Sequence, residues 1–548
     1  MIAQLQSQKK TGNQGGRVYC SILFFILLAL NVVLQLANGS YEADFGAHPD
    51  EGAHVVTSLM VRDYIVGGFI EELNPVDYAK RYYDSFPKVA IGHYPPLFYM
   101  FGGAWLVFSA SANWCLAFSA FLTSGCGLIT FLIGRISLGK TPALVATFLF
   151  TFLPLTQQYT YTFMSDMLLL ACCLLAARSF AGFMGSGRLR DSLLFGLLSS
   201  AAMLTKLSGA WLAFLPLVAL LLARKLHLFK TKAIWLAPLV VSVLALPWIV
   251  FTYSITLEGV SSSEGGLYLN QAWSFFSRAL VNEIGLTVLV LASARVLMAL
   301  WSFLNNRRDL GDMELVNVSI CVIVFLFYLF VPAGLEQRYL LVLMPSAVLL
   351  AFKTLEVCLS ALIGVLRFTK PLEYKWVNAA IVLCGALLVA GSFELRPKYA
   401  HGFRKLIEAV GKEKADNRQS LMVVSDSRGE GAIIAASALA SSERPVGGIR
   451  IYRGSKQLSS SDWLGRNYQS FYATVPALRQ YMLNGGFQFL ALDNGLPQSK
   501  KREYHDLVAR LVDKHPEVFQ FVQKLETFRK GGKEAEIILY RISEHNPG

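Results

Sequence analysis

Charged residues are scarce in this chain of 548 residues. Asp, Glu, Lys and Arg together make up 16% of it, whereas a soluble globular chain carries about 25%. Hydrophobic residues make up 54% and occur in long runs. The shortage of charge excludes an ordinary soluble enzyme, and the hydrophobic content excludes a disordered or fibrous chain. The sequence therefore predicts a polytopic membrane protein with room for a modest soluble domain.

Cysteine is also scarce and unevenly distributed. The eight cysteines all lie in apolar stretches, and none follows Cys384. This distribution does not favour a disulfide framework or a cysteine-type zinc site. The sequence contains no zinc finger or other nucleic-acid motif, so we interpret the formal charge of +13 as basic cytoplasmic loops and expect no nucleic-acid partner.

Apolar stretches that can cross a membrane recur through the first 394 residues. A spanning helix needs about 20 apolar residues. The eleven candidates are 18–37, 113–134, 141–157, 165–183, 191–207, 208–223, 233–253, 280–304, 314–332, 339–358 and 376–394. The first is longer than the apolar core of a signal peptide, so we interpret it as a retained helix.

Basic residues between these stretches predict the orientation. With eleven spans and a cytoplasmic N-terminus, every basic cluster falls on the cytoplasmic side, as the positive-inside rule requires. The apolar stretch 95–110 is too short to span and would break this pattern, so we expect an interfacial or re-entrant helix there. The clusters are Lys9/Lys10/Arg17, Arg135/Lys140, Arg188/Arg190, Arg224/Lys225/Lys230/Lys232, Arg307/Arg308 and Arg367/Lys370/Lys375.

The composition changes near residue 395. The following stretch is charged and alternates strand-like with helix-like runs, with strands expected at 421–425, 487–492 and 536–542 and helices at 431–440 and 503–514. This alternation is typical of a small α/β domain. The sequence thus predicts a mainly α transmembrane domain over 1–394, with a first outer loop at 38–112, and an extracytoplasmic α/β domain over 395–548.

The first outer loop carries two adjacent carboxylates. Pro49 suits the first position of a helix, so Asp50 and Glu51 are expected in its first turn. Acidic residues there usually complement the helix dipole. At the membrane surface, however, a carboxylate can also act as the base that takes a proton from a hydroxyl.

Other ionisable or aromatic residues map to the same face. His93 and Tyr94 precede a Pro-Pro pair, where they can be interfacial anchors or hydrogen-bond partners of a phosphate or sugar. Asp166 begins an apolar helix, and a charge near membrane depth favours function over a dipole contact. Lys206 ends a predicted span, where it can simply snorkel outward.

Arg338 and Tyr339 stand at the outer end of the tenth predicted span. An arginine in this place can grip a phosphate with two hydrogen bonds or form an ion pair at the rim. Each of these signals is weak alone. Their convergence on one face, under an orientation derived independently from the basic clusters, favours a common site.

Five short motifs occur in an order that resembles the GT-C glycosyltransferases, most closely the branch of aminoarabinose transferases and protein O-mannosyltransferases. The resemblance covers about residues 18–358. It implies an outward-facing cavity, a polyprenyl-phosphate-linked sugar as donor, and an acidic base in the first loop. The motifs are Pro49-Asp-Glu51, Tyr94-Pro-Pro-Leu-Phe-Tyr99, Ser165-Asp166, Leu204-Thr-Lys206 and Arg338-Tyr-Leu-Leu-Val-Leu-Met-Pro345.

The resemblance also assigns roles to residues. It implies that Asp50 is the catalytic base, with Glu51 as its neighbour and Asp166 as a second acidic residue. Some relatives place Lys or His directly before the Pro-Pro pair, where this chain has Tyr94, so the choice between His93 and Tyr94 as the phosphate ligand stays open. The implied donor-binding residues are His93, Tyr94, Lys206, Arg338 and Tyr339.

The functional hypothesis is sugar transfer from a polyprenyl phosphate to an acceptor that is a lipid, a glycan or a protein, at the outer face of a bacterial inner membrane. One displacement assisted by a base would invert the anomeric carbon. We expect no cofactor; a divalent metal is compatible with this chemistry but not required, since no histidine cluster demands one.

Two alternatives remain, one of them an enzyme and the other a transporter. A ligase for lipid-linked oligosaccharides would differ in its donor, an oligosaccharide on a pyrophosphate. A secondary transporter would have ionisable groups near the middle of its spans, broken helices and inverted repeats. The ionisable groups of this chain map instead to the outer ends of spans, and no repeat is evident.

Overall fold

The structure is a computed structural model. It describes residues 2–543 except 69, 71–73, 91, 259–264, 308, 366–369, 414–418, 444–448, 463–464 and 529–533. Two members of the predicted basic clusters, Arg308 and Arg367, lie outside the described residues.

Helices make up the region before residue 395, with short non-α turns at Tyr64–Gly68, Leu207–Phe214, Leu226–Lys230 and Gln337–Leu343. The α-helices are α1 (Ile2–Ala37), α2 (Glu51–Asp63), α3 (Pro75–Ser85), α4 (Leu97–Leu106), α5 (Ala112–Ser137), α6 (Lys140–Phe152), α7 (Pro154–Thr160), α8 (Asp166–Ser186), α9 (Leu189–Thr205), α10 (Leu215–Leu222), α11 (Leu236–Leu244), α12 (Leu246–Phe251), α13 (Tyr253–Glu258), α14 (Gly265–Ile284), α15 (Leu286–Leu304), α16 (Asp312–Phe330), α17 (Met344–Val365) and α18 (Lys370–Ser392).

Seven helical stretches in the described part of the chain are long and apolar enough to cross a membrane. Each coincides with a span predicted from the sequence, so the multi-pass helical architecture is confirmed. The remaining four predicted spans fall on the shorter helices α6, α9, α10 and α11–α12, and the total of eleven stays a prediction. The seven are Gly16–Ala37, Ala112–Ser137, Asp166–Ser186, Leu286–Leu304, Asp312–Phe330, Gln337–Ile363 and Lys375–Ser392.

One predicted span is shortened at its start. The stretch 280–304 was expected to be continuous, but Gly285 adopts φ of +86° and separates α14 from α15. Such a backbone conformation is readily available only to glycine, and it ends the helix. The spanning helix therefore begins at Leu286.

Contacts between helix ends place Lys225 at one end of the bundle. The ammonium of Lys225 donates to Asp312 at 2.7 Å and to the carbonyl of Met184 at 3.0 Å. These bonds join the end of α8 to the start of α16. Because α8 runs from Asp166 to Ser186, Asp166 lies at the opposite end of the bundle, which is also where the loop between α1 and α5 begins and ends.

The predicted C-terminal α/β domain is present. Its five-stranded sheet has the order β2-β1-β5-β7-β6, in which β1 is parallel to β2 and β5, and β7 is antiparallel to β5 and β6. Its elements are α19 (Phe403–Lys412), β1 (Ser420–Val424), α20 (Ser427–Glu443), β2 (Arg450–Arg453), α21 (Gly454–Gln457), β3 (Ser459–Ser460), β4 (Gln469–Ser470), α22 (Val475–Asn484), β5 (Phe489–Asp493), a turn at Gln498–Lys500, α23 (Glu503–Lys514), β6 (Phe519–Phe528) and β7 (Glu534–Ile542).

The C-terminal domain packs directly on the segment between α1 and α5, which is the predicted first outer loop. A Cβ atom on Gly52 of α2 would lie 2.3 Å from the carbonyl oxygen of Gly431 in α20, so this close approach requires glycine. The carboxylate of Asp44 accepts the N–H of Phe403 at 2.8 Å. One hydrophobic core runs from the bundle into α20 and one face of the sheet. The division at residue 395 stays a prediction.

Candidate active site

Asp50 lies at the start of α2 and is the centre of a polar cluster. The helix begins at Glu51, not at Pro49 as expected, and the Asp50 carboxylate makes no capping bond to it. Its Oδ2 instead accepts the hydroxyl of Tyr94 at 2.7 Å and the two terminal nitrogens of Arg338 at 3.3 and 3.4 Å. The carboxylate of Asp50, at the start of α2, thus joins Tyr94 of the loop to Arg338 at the end of the tenth predicted span.

The environment of Asp50 keeps its carboxylate ionised. Burial alone would raise the pKa of this group, but the positive charge of Arg338 and the neighbouring His48 outweigh it, and the pKa lies well below its usual range. The side chain retains 18% exposure. A carboxylate that is charged and reaches open space can contact a substrate.

His48 extends this cluster toward Glu336. The Asp50 backbone N–H donates to Nδ1 of His48 at 3.1 Å, and the other ring nitrogen lies 3.9 Å from Glu336. Burial would raise the pKa of Glu336, but the proximity of His48 and the charge of Arg338 outweigh it and lower the pKa. Sequence reasoning did not single out His48, although its place two residues before Asp50 was a usable signal.

His54 is a second residue that sequence reasoning missed. It is fully buried one helical turn after Asp50, and its Nδ1 lies 3.0 Å from the hydroxyl of Tyr99. Its ring packs 4.7 Å from that of Tyr94. Burial lowers the pKa of His54 to about 3 despite the nearby Asp50, so the imidazole is neutral at ordinary pH.

Asp166 and Lys206 form an ion pair inside the bundle. Their charged atoms are 2.8 Å apart, and the side chains are only 4% and 8% exposed. Asp50 and Asp166 both act electrostatically on Arg338 and His54, so the two carboxylates belong to one site. A charge pair this deep is costly unless both partners are satisfied.

Tyr339 packs beside these cations. Its ring centroid lies 5.5 Å from the Lys206 ammonium and 5.8 Å from the Arg338 guanidinium. It stacks on Tyr328 at 4.5 Å, and its hydroxyl donates to the carbonyl of Ala333 at 2.7 Å. Its ring, and not its hydroxyl, therefore faces the charged groups.

Glu51 takes a different direction from its neighbour Asp50. Its carboxylate is fully buried and accepts the Lys398 ammonium at 2.8 Å, the N–H of Phe163 at 3.2 Å and that of Ala47 at 2.9 Å. Lys398 lies in the segment that leads from α18 to the C-terminal domain. Sequence reasoning missed Lys398, because nothing local distinguishes it from any lysine of a polar linker.

A cavity of about 520 Å³ opens beside Asp50, between the first outer loop and the C-terminal domain. We call it the inter-domain cavity. Asp50, His93 and Tyr94 form part of its bundle-side wall. Arg338 and Lys206 lie behind that wall, and the Nε of Arg338 is buried without a hydrogen-bond partner.

The carboxylates of the site are already engaged by cations. Arg338 contacts Asp50, and Lys206 contacts Asp166. Within the described ranges, no three or more His, Cys, Asp or Glu side chains converge on a point where they could hold a metal ion. The donor set therefore suits the binding of an anion better than the binding of a divalent cation.

Architecture and site together define a membrane protein of the GT-C fold. The resemblance to GT-C proteins expected from the sequence is confirmed at the level of the fold. The structure of ArnT from Cupriavidus metallidurans bound to undecaprenyl phosphate is similar over 94% of this chain and 97% of that chain, with a TM-score of 0.54 and 12% identity.

Two further comparisons agree. An oligosaccharyltransferase of Archaeoglobus fulgidus, tethered with an acceptor peptide, is similar over 96% of this chain and 74% of its own, with a TM-score of 0.53 and 11% identity. The model of the dolichyl-phosphate-mannose-protein mannosyltransferase family matches residues 93–251. The comparison with curated proteins found no significant match.

Proposed function

We propose that the protein is a membrane glycosyltransferase that moves a sugar from a polyprenyl phosphate to an acceptor. The observation that carries the proposal is a charged, partly exposed Asp50 on the wall of a cavity, backed by Arg338 and the Asp166–Lys206 pair. The similar ArnT structure contains undecaprenyl phosphate, and an Archaeoglobus fulgidus structure contains dolichol-phosphate and an inhibitory peptide.

The cations supply the donor side of the reaction. Arg338 and Lys206 can stabilise the negative charge of the departing lipid phosphate, as preorganised donors do in other transfer reactions. The unpartnered Nε of Arg338 adds a further hydrogen-bond donor. His93 and Tyr94, on the cavity wall, are the proposed ligands of the phosphate or sugar, and the Tyr339 ring holds both cations in place.

Asp50 supplies the acceptor side. An acceptor hydroxyl or amine attacks the anomeric carbon and gives its proton to the Asp50 carboxylate, while the bond from carbon to phosphate oxygen breaks and its electron pair leaves with the phosphate. The displacement inverts the anomeric configuration. Glu51 and Asp166 act in support, Glu51 by fixing the start of α2 and Asp166 by orienting Lys206.

Arg338 couples the two sides. While it contacts Asp50 it lowers the pKa of that carboxylate and makes it a weak base. A donor phosphate attracts the same guanidinium, and any movement of Arg338 toward the phosphate raises the basicity of Asp50. The base therefore becomes effective only when the donor is bound.

The proposed mechanism requires no metal ion or cofactor, since Arg338 and Lys206 occupy the places where cationic charge is needed. We further propose that the first outer loop and the C-terminal domain lie outside the cytoplasm of a bacterial cell, with the N-terminus inside. The position of Lys225 at the far end of the bundle, in contact with Met184 and Asp312, supports this orientation.

A ligase for lipid-linked oligosaccharides is the second candidate. This candidate is supported by the structural similarity to the Archaeoglobus fulgidus oligosaccharyltransferase, which covers 96% of this chain. The two candidates differ in the donor, which is one sugar on a monophosphate or an oligosaccharide on a pyrophosphate. A transporter has no such support, because the ionisable groups of the site lie at helix ends.

The decisive experiment offers purified full-length protein in proteoliposomes a panel of polyprenyl-linked sugars and measures which donor is consumed. With the active donor, Asp50→Asn should lower transfer by about 10²–10⁴-fold, the range of a general base, while undecaprenyl phosphate binding persists. Asp77→Asn, an exposed carboxylate in the same loop, is the matched control and should transfer normally.

Two results would contradict the assignment. If Asp50→Asn kept more than about a tenth of the transfer rate, the base would have to be another group. If NMR of the product showed a retained anomeric configuration, a single displacement could not be the mechanism.

A further inference from the structure

The C-terminal domain forms the wall of the inter-domain cavity that faces Asp50. Three of its segments reach the cavity, namely the turn after β1, the stretch that follows β2, and the start of α23. Any molecule that fills the cavity and touches Asp50 therefore also touches the C-terminal domain. The chemistry of this second wall restricts what the acceptor can be.

Positive charge predominates around the cavity. Five basic side chains and three carboxylates line it. Asp50 is paired with Arg338, Asp462 is paired with Arg466 at 2.7 Å, and Asp426 accepts the N–H of Gly429 at 2.9 Å. A concave surface with an excess of one charge concentrates ligands of the opposite charge. The basic residues are Lys88, Arg453, Lys456, Lys500 and Arg502.

Arg453 is held in place at the junction. Its Nε donates to the fully buried carboxylate of Glu430 at 2.8 Å, and a terminal nitrogen donates to the carbonyl of Pro87 in the first outer loop at 3.3 Å. Glu430 also accepts the N–H of Ser455 at 2.9 Å and its hydroxyl at 2.6 Å. A guanidinium fixed in this way is preorganised for a ligand.

Lys88 lies close enough to Arg453 for the two positive charges to repel each other. Its ammonium donates to the carbonyl of Ser427 at 3.3 Å. Burial, followed by repulsion from Arg453, lowers the pKa of Lys88 to about 8, although Glu430 and Asp50 oppose the shift. A bound anion would relieve that repulsion and stabilise the ammonium.

We propose that the acceptor is a glycan that carries an anionic group, a phosphate or a carboxylate. The anionic group binds the basic wall formed by Arg453, Lys456 and Arg502 while a neighbouring hydroxyl or amine meets Asp50. This inference rests on the proposed function, because it names the substrate class of the same site. It assigns to the C-terminal domain the selection of the acceptor.

The test measures binding of paired probes to full-length protein in nanodiscs by calorimetry. Trehalose 6-phosphate is compared with trehalose, and cellobiouronic acid with cellobiose, so that the two arms separate phosphate from carboxylate. At least one charged probe should bind about tenfold or more tightly than its neutral partner. Saturating undecaprenyl phosphate should leave that preference intact, because the donor phosphate binds at Arg338 and not at this wall.

The variant Lys456→Gln/Arg502→Gln should lose most of the preference for the charged probe. Both residues are exposed on the C-terminal domain, so the substitutions should not disturb the fold. The matched control is Lys412→Gln/Arg510→Gln, which removes two exposed cations of the same domain outside the cavity and should keep the preference.

The inference is overturned if charged and neutral probes bind equally, if both double variants behave alike, or if undecaprenyl phosphate displaces the charged probe. Donor consumption distinguishes this failure from that of the proposed function. If a donor sugar passes equally well to neutral and charged acceptors, only the acceptor class is wrong. If the charged probe binds as expected but no donor is ever consumed, the glycosyltransferase assignment falls, and the acceptor role falls with it.

Discussion

Replacement of Glu51 by glutamine separates a structural role from a chemical one. Glu51 and Lys398 are both completely buried, with their charged atoms 2.8 Å apart. Two backbone N–H groups also donate to the Glu51 carboxylate, from Phe163 and from Ala47. Glu51 therefore links α2 to the segment before α8 and to the segment that enters the C-terminal domain.

The expected magnitude follows from burial. Glu51→Gln keeps the shape of the side chain and an oxygen that can accept a backbone N–H, but it leaves the Lys398 ammonium without a counter-charge. Removal of one partner of a buried ion pair costs about 3–5 kcal/mol, whereas a neutral hydrogen bond contributes about 1 kcal/mol. The double variant Glu51→Gln/Lys398→Met removes both charges and should cost less than the sum of the single variants.

The assay is heat-induced unfolding of detergent-solubilised protein, read by size-exclusion chromatography, with sugar transfer measured on the same samples. Glu51→Gln should unfold at a clearly lower temperature, and the double variant at an intermediate one. Glu408→Gln, an exposed carboxylate in α19, is the control and should change the free energy of unfolding by less than about 0.5 kcal/mol.

The reasoning is refuted if Glu51→Gln unfolds like the wild-type protein and yet transfers no sugar, because Glu51 would then act in the chemistry itself. Strict additivity of the two single variants would also refute it, since it would show that Glu51 and Lys398 do not interact.

Two further predictions concern other buried groups. Asp166→Asn and Lys206→Met should each lower the free energy of unfolding by about 3–5 kcal/mol, and each should also lower sugar transfer. The double variant should regain stability but not transfer. Wild-type stability in either single variant would contradict this prediction. The pKa of His54 is about 3 when folded and about 6.5 when unfolded, so the unfolded chain binds the extra proton and stability falls as pH drops from about 6.5 toward 3. His54→Gln, which keeps an acceptor for Tyr99, should make that decline shallower by up to about 1.4 kcal/mol per pH unit, and equal slopes in both proteins would count against it.

The fold was largely predictable because its signals are local. Hydrophobic runs mark the spanning helices, and the succession of strand-like and helix-like runs marks β1, β5 and β7 together with α20 and α23. The short elements were not predicted, among them β2, β3 and β4, because two to four residues carry no periodicity. The break at Gly285 was also missed, although Asn282, Glu283 and Gly285 interrupt the apolar run at that point.

The site was predictable only in part, because its contacts join distant parts of the chain. Asp50 and Arg338 are 288 positions apart, and Glu51 and Lys398 are 347 positions apart. The orientation of the spans indicates that Asp50 and Arg338 share a face, but it does not specify which side chains touch. Nor does any local pattern show that Glu51 turns toward Lys398 while its neighbour Asp50 turns toward the cavity.

Three consecutive residues explain why the C-terminal domain belongs to the site. Asp50 faces the inter-domain cavity, Glu51 binds Lys398 in the segment that enters the C-terminal domain, and Gly52 lies against Gly431 of α20. Since successive residues of one helical turn cannot move independently, a displacement of the C-terminal domain would shift Glu51 and Gly52 and, with them, the carboxylate of Asp50. The placement of the proposed base and the docking of the C-terminal domain are therefore a single structural constraint, which a bundle without its C-terminal domain would not satisfy.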